Sequence, residues 1–466
     1  MMRARCLGFL LASSLILTAC GGGAGGGDSS RTSAFVGLST TPSDCSLASQ
    51  SEWLIDWMRD WYFWYQFIPS SVNALSSQIS TEEAMRTHFT GLLFKGTAEA
   101  SADRWSYVEA SQSVQQYYDQ GMQTGYGISV AGQLDDPLPL RVRWVEPLSN
   151  AALQGIQRGD VVLSMQGKPA EVWKRANDFS PLLAQSTGDR LLIEIKNQGG
   201  VRQLDLSAST YPVTSVLGPF LETQPLQGAE RPLAYLFLKD FIDAGIDPLT
   251  KALESVSRNG ARDLILDLRY HGGGRVERAT QLASAIAPKT LRGEVFSKLV
   301  YNDKHAKANT DERFLDPKPL PEIDIERLVV ITGPRTCSAS EMFIHGLKAR
   351  HPSLQVISIG SKTCGKPYGF HPLSACGLSY QAVNFVVQND KGKPSEVNGM
   401  VPDCVAVDDY QSPFGSEADP LMSTARHWLR FGKCPTPQFA LDSAAKGANE
   451  RTRLIKDGDA TQSMFK

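Results

Sequence analysis

The chain lacks the marks of several large protein classes. It has no excess charge of either sign: 47 basic residues stand against 49 acidic ones, a formal net charge of −2. No basic patch of composition therefore advertises nucleic acid or an anionic membrane surface. No C-x-x-C pair and no His/Cys zinc spacing occurs, so a metal site is not expected. A G-x-S-x-G elbow, an H-E-x-x-H helix, a Walker loop and a dinucleotide fingerprint are all missing as well. Their absence removes the common hydrolase, zinc-protease and nucleotide-binding readings. What remains is an ordinary globular composition, 42% apolar and 21% charged with 40 Gly and 26 Pro in 466 residues. That excludes disorder throughout, collagen-like repeats and a multi-span membrane protein, and at ~150 residues per domain it suggests two to four domains.

The first residues read as a targeting segment. Arg3 and Arg5 precede an apolar stretch from Leu7 to Leu17 that is too short to span a bilayer as a stable helix. Leu17-Thr18-Ala19-Cys20 resembles a bacterial lipobox, which implies a signal peptide over 1–19 and a lipid on Cys20; a plain secretory signal is the alternative. Residues 20–44 then hold the lipidated cysteine and a Gly/Ser-rich linker, a coil of ~25–30 Å. Because Gly21 is not the aspartate that signals inner-membrane retention in such lipoproteins, an outer-membrane anchor facing the periplasm is expected. Without Cys6 and Cys20, six cysteines remain, at 45, 337, 364, 376, 404 and 434. In an exported protein these favour disulfides, with fifteen pairings open.

Three textures follow along the rest of the chain. Residues 45–115 read as a helical N-terminal domain, with Trp53, Trp57 and Trp61 at i, i+4 and i+8 in a helix from Glu52 to Phe67 that Pro69 stops, and a second helix from Thr81 to Phe94. The tryptophan stripe is read as core packing rather than as an aromatic cage. Residues 116–211 are β-rich, with the strand Leu140 to Val145, a short helix after Pro147, and the Gly-Asp turn at Gly159-Asp160. These motifs, in this order, resemble a PDZ domain whose carboxylate-binding loop would be Tyr126, Gly127 and Ile128. In residues 212–436, apolar strands alternate with helices, as in the interior of an α/β sheet. Leu264 to Arg269 runs into Tyr270-His271-Gly272-Gly273-Gly274, Arg327 to Gly333 leads to Thr336-Cys337-Ser338-Ala339-Ser340-Glu341, and Gln355 to Ile359 leads to Thr363-Cys364-Gly365-Lys366-Pro367. Alternating strands around Ala382 to Val387 and a helix near Pro420 to Arg430 follow, and residues 437–466 form a polar tail.

Leu-Asp-Leu-Arg with Gly-Gly, Ser-Ala-Ser-Glu, Thr-x-Gly-Lys and Gly-x-x-Pro-Asp, in order over about residues 50 to 430, resemble the carboxyl-terminal processing (tail-specific) peptidases. The resemblance implies a multidomain α/β fold with a helical cap, a PDZ-like module and a crotonase-like peptidase core. It also implies Ser338 as nucleophile, Lys366 as general base, and an oxyanion hole from the backbone of Gly273 or Gly274 and of Ala339. The chemistry agrees: a lysine serves as base for a serine hydroxyl when desolvation lowers its pKa. One departure stands out, because the family's Gln or Glu four residues after the lysine is Phe370 here. His371, Tyr368 and Glu341 are candidate substitutes, while His271, Asp267 and Arg269 are read as structural.

The function so implied is a lipid-anchored serine endopeptidase that cleaves unfolded or C-terminal segments of exported proteins by a Ser–Lys dyad. Its partners are protein or peptide substrates and a membrane, with no cofactor, no metal and no nucleic acid. A catalytically weak or inert peptide-binding protein of the same fold is the alternative, and a small-molecule acyl-transfer enzyme on the same core a more distant one. Bringing Ser338 beside Lys366 also brings their neighbours together, so a Cys337–Cys364 disulfide is expected.

Overall fold

Continuous apolar runs make the central sheet. The computed structural model describes residues 40–435 apart from 71–79, 99, 133–137, 223–231, 349 and 351. The expected signal peptide, Cys20, most of the linker and the polar tail lie outside the described residues. Six strands line up in the order Val216–Glu222, Leu233–Leu238, Asp263–Asp267, Arg327–Thr332, Gln355–Gly360 and Cys404–Val405. The first pair is antiparallel and the others parallel. Leu233–Leu238 and Asp263–Asp267 are buried at every position, as interior strands of a sheet covered on both faces must be.

Helix Pro420–Phe431 covers this sheet with Leu421, Met422, Ala425, Trp428 and Leu429, starting at an Asp419 cap and ending at Gly432 in the left-handed conformation. Helix Ala339–Leu347 has no solvent face, and only His345 along it escapes full burial. It touches the main sheet and a second, antiparallel sheet ordered Thr310–Arg313, Val295–Tyr301, Phe385–Asn389 and Tyr368–Gly369. A helix buried on every side is stable only in such a sandwich.

The strands between Ile128 and Ser207 build a separate antiparallel sheet with a core of its own that includes Val130, Leu140, Val142, Leu191 and Ile193. It rests on the main sheet, where Trp144 stacks on Phe237 at 5.1 Å and Glu146 pairs with Lys239 at 2.6 Å, both charged side chains being 3% exposed.

At the N-terminus, helix Leu47–Trp61 buries Trp53, Trp57 and Trp61. It ends six residues earlier than the sequence predicts. Asn302 Nδ2 donates to the carbonyls of Asp60 and Tyr62, and Phe63 N–H turns to Val383 O at 2.8 Å, so core contacts rather than Pro69 end the helix. The same region supplies a strand, Tyr107–Ala110, paired with Leu378–Gln381, and Cys45 is bonded to Cys376. The strands expected around Ala382 to Val387 are Leu378–Gln381 and Phe385–Asn389, separated where the peptide of Val383 bonds to Phe63 and Ser106. No helix among the described residues is long and apolar enough to cross a membrane.

Candidate active site

Three neighbouring parallel strands end at one place, and the loops that leave their carboxyl ends carry the predicted residues. In open α/β sheets such strand ends are where ligands gather. The loops are laced together. Cys337 N–H donates to His271 O at 3.0 Å, Thr336 Oγ1 to Leu268 O at 2.7 Å, and Cys364 N–H to Thr336 O at 3.1 Å. Cys337 and Cys364 form a disulfide, as expected, with Cα atoms 5.2 Å apart; Cys404–Cys434 is the third.

Ser338 begins the buried helix with φ 56° and ψ −118°, a strained backbone for a residue with a side chain, and it stays partly exposed where its neighbours are buried. Gly273 lies against it. A Cβ there would sit 2.9 Å from Ser338 Cβ and 2.9 Å from Cys337 O, and at Gly274 one would meet Phe241 O at 2.3 Å. With φ of 111° and 118°, both positions require glycine.

The backbone donors differ. Gly273 N–H is engaged by His271 Nδ1 at 3.1 Å, and Gly272 N–H by Asp240 Oδ1 at 3.0 Å. Gly274 N–H and Ala339 N–H have no acceptor among the described residues. Of the three expected oxyanion donors, Gly273 is thus occupied and Gly274 and Ala339 are free. Because Nδ1 of His271 accepts, the imidazole is the Nε2–H tautomer; burial pushes its pKa down to about 3, so it stays neutral.

Glu341 ties the serine to the lysine. Its Oε2 accepts from Ser338 N–H at 3.1 Å and from Lys366 N–H at 2.8 Å, and its Oε1 from Gly365 N–H at 2.9 Å and Thr363 Oγ1 at 2.5 Å. Burial raises the Glu341 pKa while these donors pull it down. Lys366 is 2% exposed. Burial lowers its pKa to about 8, and the nearby charges of Asp103 and then Glu341 limit the fall.

The other candidates lie elsewhere in chemical terms. Phe370 sets its ring 4.5 Å from Lys366 Nζ. His371 Nε2 is bonded to the Tyr301 hydroxyl at 2.6 Å, and Tyr368 packs edge-on to Trp64 at 4.8 Å. Asp267 and Arg269 do form a brace: Arg269, 1% exposed, pairs with Asp267 at 2.6 Å and with Asp419 at 2.5 Å. Asp408, which burial would push up, is held below its ordinary value by the guanidiniums of Arg269 and Arg158. Tyr126, Gly127 and Ile128 line a groove beside the separate antiparallel sheet together with Leu182, Leu183 and Lys239.

Sequence reading missed Asp103. The Asp-x-Trp-Ser segment signals a turn, and Asp103 Oδ1 does accept from the N–H groups of Trp105 and Ser106. Nothing local marks the carboxylate as a neighbour of Lys366.

Comparison with known proteins gives the family and the fold. Residues 232–405 match the model of peptidase family S41, and residues 49–107 match that of the peptidase S41 N-terminal domain. The carboxy-terminal processing protease CtpA of Bacillus subtilis is 26% identical over 223 residues, which is 47% of this chain and 42% of that relative. The alignment therefore spans less than half of the relative's length. A structure described as an S41 protease of Bacteroides fragilis superposes with a TM-score of 0.60 at 23% identity, covering 82% of this chain and 97% of that one. The photosystem II D1 C-terminal processing protease superposes with a TM-score of 0.52 at 19% identity, covering 82% and 98%. At those identities the likeness speaks for the fold, while the family models take in the loops that carry Gly273, Ser338 and Lys366. The chain belongs to peptidase family S41, the carboxyl-terminal processing proteases.

Proposed function

We propose that the chain is a lipid-anchored serine endopeptidase that cleaves unfolded or C-terminal segments of exported proteins. In this reading residues 45–115 form the N-terminal domain, 116–211 a PDZ-like module that receives substrate tails at Tyr126, Gly127 and Ile128, and 212–436 a crotonase-like peptidase core. Cys20 carries the lipid, which tethers the protein to the outer membrane on the periplasmic side.

Lys366 Nζ takes the proton of Ser338 Oγ as the oxygen bonds to the substrate carbonyl carbon. The oxyanion receives the N–H groups of Gly274 and Ala339, near the start of a helix whose field favours negative charge. The peptide C–N bond then breaks, and the Lys366 ammonium returns its proton to the leaving amine. Water attacks the Ser338 ester as Lys366 takes its proton, the bond between the acyl carbon and Ser338 Oγ breaks, and the Lys366 ammonium returns that proton to Oγ as the acid product leaves. The observation that carries the reading is Glu341 Oε2, which accepts from the backbone of both Ser338 and Lys366 and so joins nucleophile and base across two loops.

The test is cleavage of an unfolded protein such as casein by the mature chain. Ser338→Ala and Lys366→Ala are each expected to lose at least about a thousandfold in turnover, and the double variant little more, because the two groups act as one unit. Near-wild-type cleavage by Lys366→Ala would move the base elsewhere, and full activity in both variants would refute the peptidase reading. The peptide-binding alternative is favoured by Phe370, which stands where the family has Gln or Glu. It requires that an acylating active-site probe leave Ser338 unlabelled.

A further inference from the structure

The loop beside Ser338 is a run of glycines, and glycines with φ of 111° and 118° hold no orientation by themselves. What holds Gly272, Gly273 and Gly274 is the end of a neighbouring strand. Phe241 N–H donates to Gly273 O at 2.7 Å, Arg275 N–H donates to Phe241 O at 2.9 Å, and Phe241 and Gly274 form an isolated parallel bridge. In a trans peptide the C=O and N–H point opposite ways, so fixing Gly273 O on Phe241 turns Gly274 N–H away from that strand. The side chain one residue earlier holds the start of the loop. Asp240 Oδ1 accepts from Gly272 N–H at 3.0 Å, and its Oδ2 accepts from the Tyr117 hydroxyl. Asp240 and Tyr117 are both buried, and Tyr117 stands on helix Ser111–Tyr118, outside the main sheet.

We infer that Asp240 is a positioning residue of the oxyanion hole: it fastens the first glycine of the loop to the strand end and so keeps Gly274 N–H turned to the oxygen that becomes negative when Ser338 attacks. The inference rests on the serine-peptidase reading above. Tolerance here is small. A Cβ at Gly273 would sit 2.9 Å from Ser338 Cβ and 3.1 Å from Ala339 N, so the loop already touches the nucleophile and its helix. Three glycines have the most backbone freedom to lose, and Gly272 is buried. Without Asp240 its N–H would lack that acceptor, which favours turning the peptide over and carrying Gly274 N–H out of place. A carboxylate suits the task because both oxygens accept, so one side chain holds the loop with Oδ1 and is itself held at Oδ2. Asp240 acts through Gly274, and Tyr117 acts through Asp240.

The experiment combines steady-state kinetics on an unfolded substrate with affinities for a peptide aldehyde and for the alcohol of the same peptide. The proteins are the full mature chain as wild type, Asp240→Ala, Asp240→Asn and Tyr117→Phe, with urea unfolding giving the folded fraction to which each rate is referred. The aldehyde forms a hemiacetal with Ser338 that places its oxygen in the hole, and the alcohol binds without it. Asp240→Ala should lower kcat about a hundredfold with KM within about threefold, as loss of one oxyanion donor does. It should weaken the aldehyde by a comparable factor and leave the alcohol unchanged. Asp240→Asn should keep at least about a third of the wild-type kcat, because its oxygen still accepts from Gly272 N–H and the tyrosine hydroxyl can accept from its amide. Tyr117→Phe keeps the ring and removes the hydroxyl, and should fall between, about tenfold down in kcat. Wild-type kcat and aldehyde affinity in folded Asp240→Ala, or in Tyr117→Phe where the alanine variant does not fold, would overturn the proposal. Equal weakening of aldehyde and alcohol would also overturn it, as the mark of a merely structural residue. A wild type that binds the aldehyde no better than the alcohol would overturn Ser338 as nucleophile, and this proposal with it.

Discussion

At the scale of single residues, the site is built against stability. Lys366 titrates near 8 in the folded chain against 10.5 for a free lysine. Between those two values the unfolded chain holds more protons than the folded one, so stability rises with pH across that window. Below about 8 the whole penalty is present, on the order of 3 kcal/mol. Lys366→Met keeps the packing of the stem and removes the amine. At pH 7 it should be more stable than wild type by about 1–3 kcal/mol in urea unfolding, and the gain should shrink as the pH approaches 10.5. Equal stability of the two proteins at pH 7 would show that the amine is not desolvated. Ser338, with its positive φ, stores strain of a similar kind.

At the scale of elements, strain in one loop needs neighbours that over-determine it, and here the Cys337–Cys364 bond does much of this. It closes a loop between the residue before the nucleophile and the residue two before the base. Cys337→Ala with Cys364→Ala should cut kcat at least about tenfold, because a shift of an ångström in either loop separates the serine from the lysine. Cys404→Ala with Cys434→Ala, a pair that fastens the edge strand and not the two loops themselves, should lower the melting temperature and leave kcat near wild type. Equal turnover in the two double variants would deny the first disulfide any special place.

The strands that deliver these loops were legible because their apolar runs are continuous, Leu264-Ile265-Leu266 and Leu328-Val329-Val330-Ile331 being examples. The helix ending at Trp61 and the break at Ala382 to Asn384 were not. Both are decided by partners far away in sequence, Asn302 for the helix end and Phe63 and Ser106 for the break. Ser338, Lys366 and their glycines could be named because each sits in a local motif. Asp103, whose charge acts on Lys366, had no such motif.

At the scale of the whole molecule, the two sheets share one buried seam. Lys239 at the end of a main-sheet strand pairs with Glu146, and Arg158 reaches across to the Tyr270 hydroxyl at 2.7 Å, one residue before His271. The groove at Tyr126, Gly127 and Ile128 opens beside that seam, so a tail bound there is held on the same body that carries Ser338. Buried ion pairs such as Lys239–Glu146 contribute little net stability but penalise any arrangement that separates the partners, which keeps the groove in register with the main sheet. If the groove reads a terminus, the recognition element is the free carboxylate. Peptides ending in a carboxylate should then bind more tightly than their amidated forms, by the ~1.5–3 kcal/mol of charge-assisted hydrogen bonds, or about ten- to a hundredfold in Kd. Titration calorimetry on Ser338→Ala, which binds without turnover, measures this directly. Equal affinity for the two forms would mean that tails are held by side-chain contacts along the groove and that the loop does not read their ends.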